Sequence, residues 1–171
     1  MRDKGVVALS VSTATADDAA AVAAIRNEAA AHLTDEFGTG HWSGVIGVPA
    51  VLRGINSSRV LVVRNGETIV GTLRLATKRP WAIDPAYFAA SERPLYLMDM
   101  AVSPTLQRRG AGRQLLDAAI KTAEGWKADA IRLDAYDHPA GAGRFYEKCG
   151  FERVGQAAYR GVRLIYYQRL L

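Results

Sequence analysis

The stretch Leu95-Tyr96-Leu97-Met98-Asp99-Met100-Ala101-Val102 is almost continuously apolar, as expected of a strand covered on both faces. A turn at Ser103-Pro104 leads from it into Gln107-Arg108-Arg109-Gly110-Ala111-Gly112. Leu115, Leu116, Ala119, Ile120 and Ala123 then recur at helical spacing, and Ala130–Tyr136 reads as another strand. A buried strand, a glycine turn, an amphipathic helix and a second strand together predict the centre of an α/β sheet. The turn also has chemistry of its own. The start of a helix leaves backbone N–H groups unpaired, and the helix dipole adds partial positive charge there. Glycines at 110 and 112 let a bulky pyrophosphate approach the backbone, and Arg108, Arg109 and Arg113 add charge at the rim. The segment lacks the Lys-Ser/Thr ending of a Walker A loop, and it lacks the three glycines and downstream acid of a dinucleotide site. On residue chemistry alone it reads equally well as a tight turn whose arginines face solvent.

The remaining chain supplies elements of the same mixed kind. Val6–Ser12 alternates as a first strand. Thr15-Ala16-Asp17-Asp18 starts a helix whose buried stripe is Val22, Ile25, Ala29 and Leu33. The glycine-rich segment Thr34–Asn56 reads as loop plus a short second helix. Val60–Arg64 and Thr68–Ala76 are joined through Asn65-Gly66, a strong hairpin signal. Lys78–Pro94, with three prolines and the aromatics Trp81 and Tyr87, is a long connection of the kind that often carries function. Ala140–Lys148 is a short helix stopped by Gly150, and Phe151–Val154 and Arg163–Arg169 finish as strands. Nothing in 171 residues asks for more than one domain, here residues 1–171.

Composition excludes several classes. The 22 Lys+Arg against 17 Asp+Glu favour anionic partners, but the basic residues are spread out and form no nucleic-acid stripe. Cys149 is the only cysteine, which rules out an intramolecular disulfide and a cysteine-rich metal site, and no histidine pair has ligand spacing, so no metal is expected. No apolar run approaches the roughly 18 residues of a membrane span, and the N-terminus lacks a cleavable apolar leader. The cytoplasm is the default location.

Gln107–Gly112 resembles the Gln/Arg-x-x-Gly-x-Gly/Ala signature of the GNAT superfamily of N-acetyltransferases, and Tyr146-Glu147-Lys148-Cys149-Gly150-Phe151 resembles its second hallmark, a helix ending Tyr-x-x-x-Gly-Phe. One helix and one strand separate the two, which is the family's order. The resemblance implies a mixed, mostly antiparallel central sheet with helices on both faces and splayed central strands holding an acyl-CoA. It implies acetyl-CoA as cofactor. Backbone groups of Met100, Ala101 and Val102 would pair with the pantetheine arm, and the segment Gln107, Arg108, Arg109, Gly110, Ala111, Gly112 and Arg113 would hold the pyrophosphate. Tyr146 would lie near the cofactor sulfur and protonate the departing thiolate. A phenol with an ordinary pKa near ~10 is protonated at neutral pH and can do so. Where the family often has Asn before that helix, this chain has Pro139.

The resemblance implies direct transfer in a ternary complex to a primary amine, here expected to be a small molecule. A macromolecular acceptor and a non-catalytic acyl-CoA-binding module are the alternatives, and dimers are common in folds resembling this one. The amine needs a base. Asp99, a lone carboxylate in an apolar strand, is the candidate; it reads equally as a buried Asp bonded to neighbouring backbone. Glu28 and His32 on the first helix, near Asp35, Glu36 and His41, are candidates for the acceptor wall together with Trp81; an ordinary solvated face is the other reading of the helix residues.

Overall fold

The computed structural model describes residues 8–171. Its strands are β1 (Leu9–Thr13), β2 (Arg59–Asn65), β3 (Thr68–Ala76), β4 (Pro94–Val102), β5 (Ala130–Tyr136), β6 (Glu152–Tyr159) and β7 (Val162–Leu170), and its helices are α1 (Ala19–Phe37), α2 (Val48–Ser57), α3 (Ala111–Gly125) and α4 (Gly143–Lys148). The strands form one sheet in the order β1-β2-β3-β4-β5-β7-β6. Every neighbouring pair is antiparallel except β4 and β5. Val6 and Val7 of the expected first strand lie outside the described residues.

Local chemistry explains the element ends. Asp18 accepts the Thr15 backbone N–H at 2.9 Å and Arg64 Nη2 at 2.8 Å, which closes the start of α1 and ties it to β2. That guanidinium and the Thr15 amide hold the Asp18 carboxyl below the usual carboxylate range. Gly66, at φ +63°, makes the reversal between β2 and β3. Pro49 sits in the first turn of α2, where a missing N–H costs nothing. The last helix is shorter than the expected Ala140–Lys148. Gly141 packs on the Tyr136 carbonyl and Gly143 against the Tyr167 hydroxyl, so the chain must turn through small residues before α4 begins.

The central strands are buried on both faces. Leu61, Val63, Leu73, Leu95, Ile131 and Leu133 pack against Leu115, Leu116, Ala119 and Ala123 of α3. Val60, Val62 and Ile69 face the other way, onto Val22, Ile25 and Val51 of α1 and α2. A leucine as buried as Leu115 contributes about 2–5 kcal/mol relative to alanine. The long connection before β4 is a packed element rather than an open loop. Ile83 and Phe88 bury with Tyr96, Leu164 and Tyr166, and Arg132 Nη2 holds the Ala89 carbonyl at 2.8 Å.

One irregularity decides where a ligand can enter. β4 and β5 pair only from Pro94 to Tyr96 against Ala130 to Arg132. Opposite β3, Met98 pairs with Arg74 and Ala101 with Thr72, so β4 carries one extra residue there and bulges. Asp99 takes up the bulge at φ +56°, an uncommon conformation for a residue with a side chain.

Candidate active site

Because β5 leaves β4 after Tyr96, the following backbone groups on that side of β4 have no strand partner, while the pairing with β3 continues to Val102. An extended chain bearing amides can add there as another strand would, beside Met100, Ala101 and Val102. The gap opens into a cleft of about 550 Å³ between β4, β5, the second half of α1 and residues 41–46.

At the end of β4 the turn leaves backbone N–H groups unpaired at the start of α3. Arg108 (φ +62°) and Gly110 (φ +88°) both adopt left-handed backbone, and the first helical bond of α3 runs from Gln114 N–H to the Gly110 carbonyl at 3.0 Å. The amides of Ala111, Gly112 and Arg113 therefore have no intrahelical acceptor. A side chain at Gly112 would meet Phe145 Cζ at 3.0 Å and Met100 Cε at 3.5 Å; its absence lets the turn lie against α4 and β4. Arg108, Arg109 and Arg113 are exposed at the rim. Gln107 has a bracing task, donating from Nε2 to the Val102 carbonyl at 3.3 Å. Gly110→Ala places a side chain in the left-handed region at roughly 1–2 kcal/mol and disturbs these amides, so titration calorimetry should show acetyl-CoA bound about tenfold more weakly.

Tyr146 is 6% exposed, packed among Phe145, Phe151 and Tyr167, with its hydroxyl in the cleft. The only partner of that hydroxyl among the described residues is the weak acceptor Met100 Sδ at 3.7 Å. The hydroxyls of Tyr136, Tyr166 and Tyr167 all bond to oxygen, on His41, Ala82 and Glu147 respectively. Burial first, then the charges of Asp134 and Cys149, push the Tyr146 phenol well above its ordinary value, so it stays protonated.

Asp99 does not bond to neighbouring backbone. Its Oδ1 accepts from Arg26 Nη2 at 3.2 Å and its Oδ2 from Arg74 Nε at 2.8 Å. The cleft holds a second carboxylate that sequence reasoning passed over. Asp134 of β5 alternates with Leu133 and Ala135, which enter the α3 core, and so it faces the cleft from the opposite wall. No ion pair or hydrogen bond engages it among the described residues. Desolvation first, and then the negative charge of Asp99, raise its affinity for a proton. The available signal was the one acid within Ala130–Tyr136, in a strand read only for its pattern.

Glu28, His32 and Trp81 lie outside the cleft wall. Glu28 accepts from the Ser103 hydroxyl at 3.2 Å, His32 stands exposed 3.6 Å from Glu36, and the Trp81 side chain is 80% exposed. The α1 residues that reach the cleft are Arg26, Asn27, Ala29, Ala30 and Leu33. Ala29 and Leu33, expected in a buried stripe, are half-exposed because this half of α1 crosses the open cleft. Residues 38–47 form a wall with fixed anchors. Asn27 gives Nδ2–H to the Ile46 carbonyl at 3.0 Å and accepts the Ile46 N–H at 2.8 Å. Trp42 packs on His138 with ring centroids 4.5 Å apart. Among the described residues no cluster of three His, Cys, Asp or Glu could hold a metal, and no helix is long and apolar enough to cross a membrane.

The model of the Acetyltransferase (GNAT) family matches residues 30–151, well over half of the chain. The chain belongs to the GNAT acetyltransferase family. Solved GNAT structures share its fold over nearly full length. YncA from Salmonella typhimurium, solved with its cofactor acetyl-CoA, is 20% identical with a TM-score of 0.70, covering 95% of this chain and 94% of its own. An N-acetyltransferase from Staphylococcus aureus Mu50 is 17% identical (TM-score 0.71; 95% and 98% covered), and the ribosomal-protein-alanine N-acetyltransferase from Brucella melitensis is 22% identical (TM-score 0.70; 95% and 99% covered). No curated protein matches the chain. As a GNAT enzyme it uses acetyl-CoA as acetyl donor, and the unpaired β4 edge and the amides of Ala111–Arg113 suit an amide-bearing arm ending in pyrophosphate. Pro139, in place of the frequent Asn, lies in the turn before α4 rather than in its first turn.

Proposed function

We propose that this GNAT enzyme transfers the acetyl group of acetyl-CoA to a primary amine of a small molecule, directly and in a ternary complex. The observation that carries the reading is the facing of two proton-transfer groups across one gap: the Tyr146 hydroxyl and the Asp134 carboxylate both line the cleft opened by the β4–β5 splay. Acetyl-CoA, when bound, supplies an activated thioester. Backbone groups of Met100, Ala101 and Val102 align its arm, and the amides of Ala111–Arg113 with the nearby arginines hold its pyrophosphate. Asp134 takes the proton from the incoming ammonium and leaves a neutral amine able to attack the thioester carbonyl. As the C–S bond breaks, Tyr146 would give its hydroxyl proton to the departing thiolate and be reprotonated by the second proton that the amide nitrogen sheds. Asp99, the base expected from sequence, has both oxygens committed to guanidiniums, and its part is electrostatic: it raises the proton affinity of Asp134.

The pinned wall of residues 38–47 and the packed connection before β4 bound the cleft on the acceptor side, which favours a small acceptor over a protein segment. A ribosomal-protein alanine acetyltransferase among the fold relatives keeps a protein N-terminus as the competing acceptor. The test is calorimetric binding of acetyl-CoA followed by thiol-release assays over polyamines, amino acids, aminoglycosides and peptides. Binding with turnover of a small amine is expected. No binding at millimolar acetyl-CoA sinks the reading, and turnover of peptides alone moves the acceptor to a protein.

A further inference from the structure

Beside the cleft lies a second hollow of about 360 Å³, which meets the first at Arg26, Ile46 and Asp99. Its wall carries three arginines, Arg26 of α1, Arg53 of α2 and Arg74 of β3, and Asp99 is its only acid. Arg26 and Arg74 are 24% and 27% exposed and share the single Asp99 carboxylate. One guanidinium would neutralise that carboxylate; two leave a net positive charge in a partly desolvated place, and holding it there costs free energy unless an anion joins. Each guanidinium has five N–H donors in a planar fork. Arg26 spends one on Asp99, while Arg74 spends its Nε–H on Asp99 and one Nη2–H on Met98 Sδ at 3.4 Å. Among the described residues the other donors have no partner, and they can take a carboxylate or a phosphonate side by side.

We infer that the acceptor is a zwitterion, a small amine carrying its own anionic group, with the amine at Asp134 and the anion on the Arg26–Arg74 pair. The inference rests on the acetyl-transfer reading and narrows its acceptor. Arg26, Asp99 and Asp134 line one cleft, and Arg74 shares the Asp99 carboxylate with Arg26, so one small molecule can present its amine to Asp134 and its anion to the arginines, as an amino acid would. A polyamine has no anion to offer, and its second charge would be repelled by the arginines. At the bulge, the Asp99 carboxylate bonds to both arginines and holds them as a pair.

The experiment compares the wild-type enzyme, by thiol release with acetyl-CoA, on the twenty amino acids, the corresponding amino-acid amides, the decarboxylated amines and 2-aminoethylphosphonate. At least one acid or phosphonate should be acetylated with kcat/KM on the order of 100-fold above its uncharged counterpart, because a site built for the anion leaves its donors unpaired without it. The acid and phosphonate arms tell which anion is preferred, and either result supports the inference. Arg26→Gln should raise KM for that acceptor about tenfold or more, with acetyl-CoA affinity held within about twofold. Equal turnover of acid and amide, or a preference for the decarboxylated amine, overturns the zwitterion and leaves acetyl transfer standing. If acetyl-CoA binds but no amine of any class is acetylated, both fall together.

Discussion

Asp134→Asn is expected to lower kcat on the order of 100- to 10,000-fold, the usual contribution of a positioned general base. Acetyl-CoA affinity should stay within about twofold, because the proposed donor site uses the unpaired backbone of β4 and the start of α3, not this side chain. The same carboxylate carries a stability signature that a purely structural Asp would not. Its proton affinity is raised in the fold by desolvation and then by Asp99, and among the described residues no hydrogen bond or ion pair opposes them. A carboxyl whose folded pKa lies above its unfolded value keeps its contribution to stability at pH below the unfolded value and loses it as pH rises through the folded one. At neutral pH the charged Asp134 therefore strains the fold. The Asn variant should melt higher than wild type at neutral pH, and the difference should vanish in acid. The wild-type rate should climb with pH through the raised Asp134 value. An Asn variant that keeps its turnover removes Asp134 as the base; one that loses turnover and also melts lower assigns it to folding. Asp99→Asn should behave oppositely in stability, since it breaks bonds to two half-buried guanidiniums.

Tyr146→Phe is the second large expected effect. The hydroxyl makes no bond to oxygen or nitrogen among the described residues, so its removal should cost the fold less than about 1 kcal/mol, while the ring keeps its place among Phe145, Phe151 and Tyr167. Turnover should nevertheless fall on the order of 100-fold or more, with acetyl-CoA binding little changed, because only departure of the thiolate uses the proton. Burial keeps the phenol protonated far into the alkaline range, so Tyr146 itself should add no descending limb to the pH profile near neutrality. An unchanged rate in the Phe variant would remove Tyr146 as the acid. A rate loss matched by an equal loss of acetyl-CoA affinity would place it in binding instead.

These two residues differ in how they can be found. Tyr146 is marked by its neighbours in the chain, because the turn at Gly150 and the packing of Phe151 position the end of α4 locally. Asp134 carries no local mark. Its place in the cleft follows from β5 parting from β4 after three residues of parallel pairing, an event produced by packing of the whole sheet. Asp99 shows the converse. As a lone acid in an apolar strand it drew attention to the right segment, yet its partners, Arg26 and Arg74, are 73 and 25 residues away. Glu28 and His32 point elsewhere than the cleft because neighbours one or two positions apart on a helix face different directions, and the cleft is lined by Arg26, Asn27, Ala29, Ala30 and Leu33.

By itself the sequence determined the family and with it the acetyl donor, because Gln107–Gly112 and Tyr146–Phe151 are contiguous runs whose turns and helix ends are set locally. It also determined the α/β alternation and the hairpin at Gly66, which depend on periodicity and on one backbone dihedral. Only the tertiary structure brought together the residues proposed for the acceptor side. Asp134, Asp99, Arg26 and Arg74 sit on four separate elements, and their charges acquire chemical meaning only where the splay of β4 from β5 brings them around one partly dry space. Charge interactions there depend on distance and desolvation, and neither is encoded by any short run of residues.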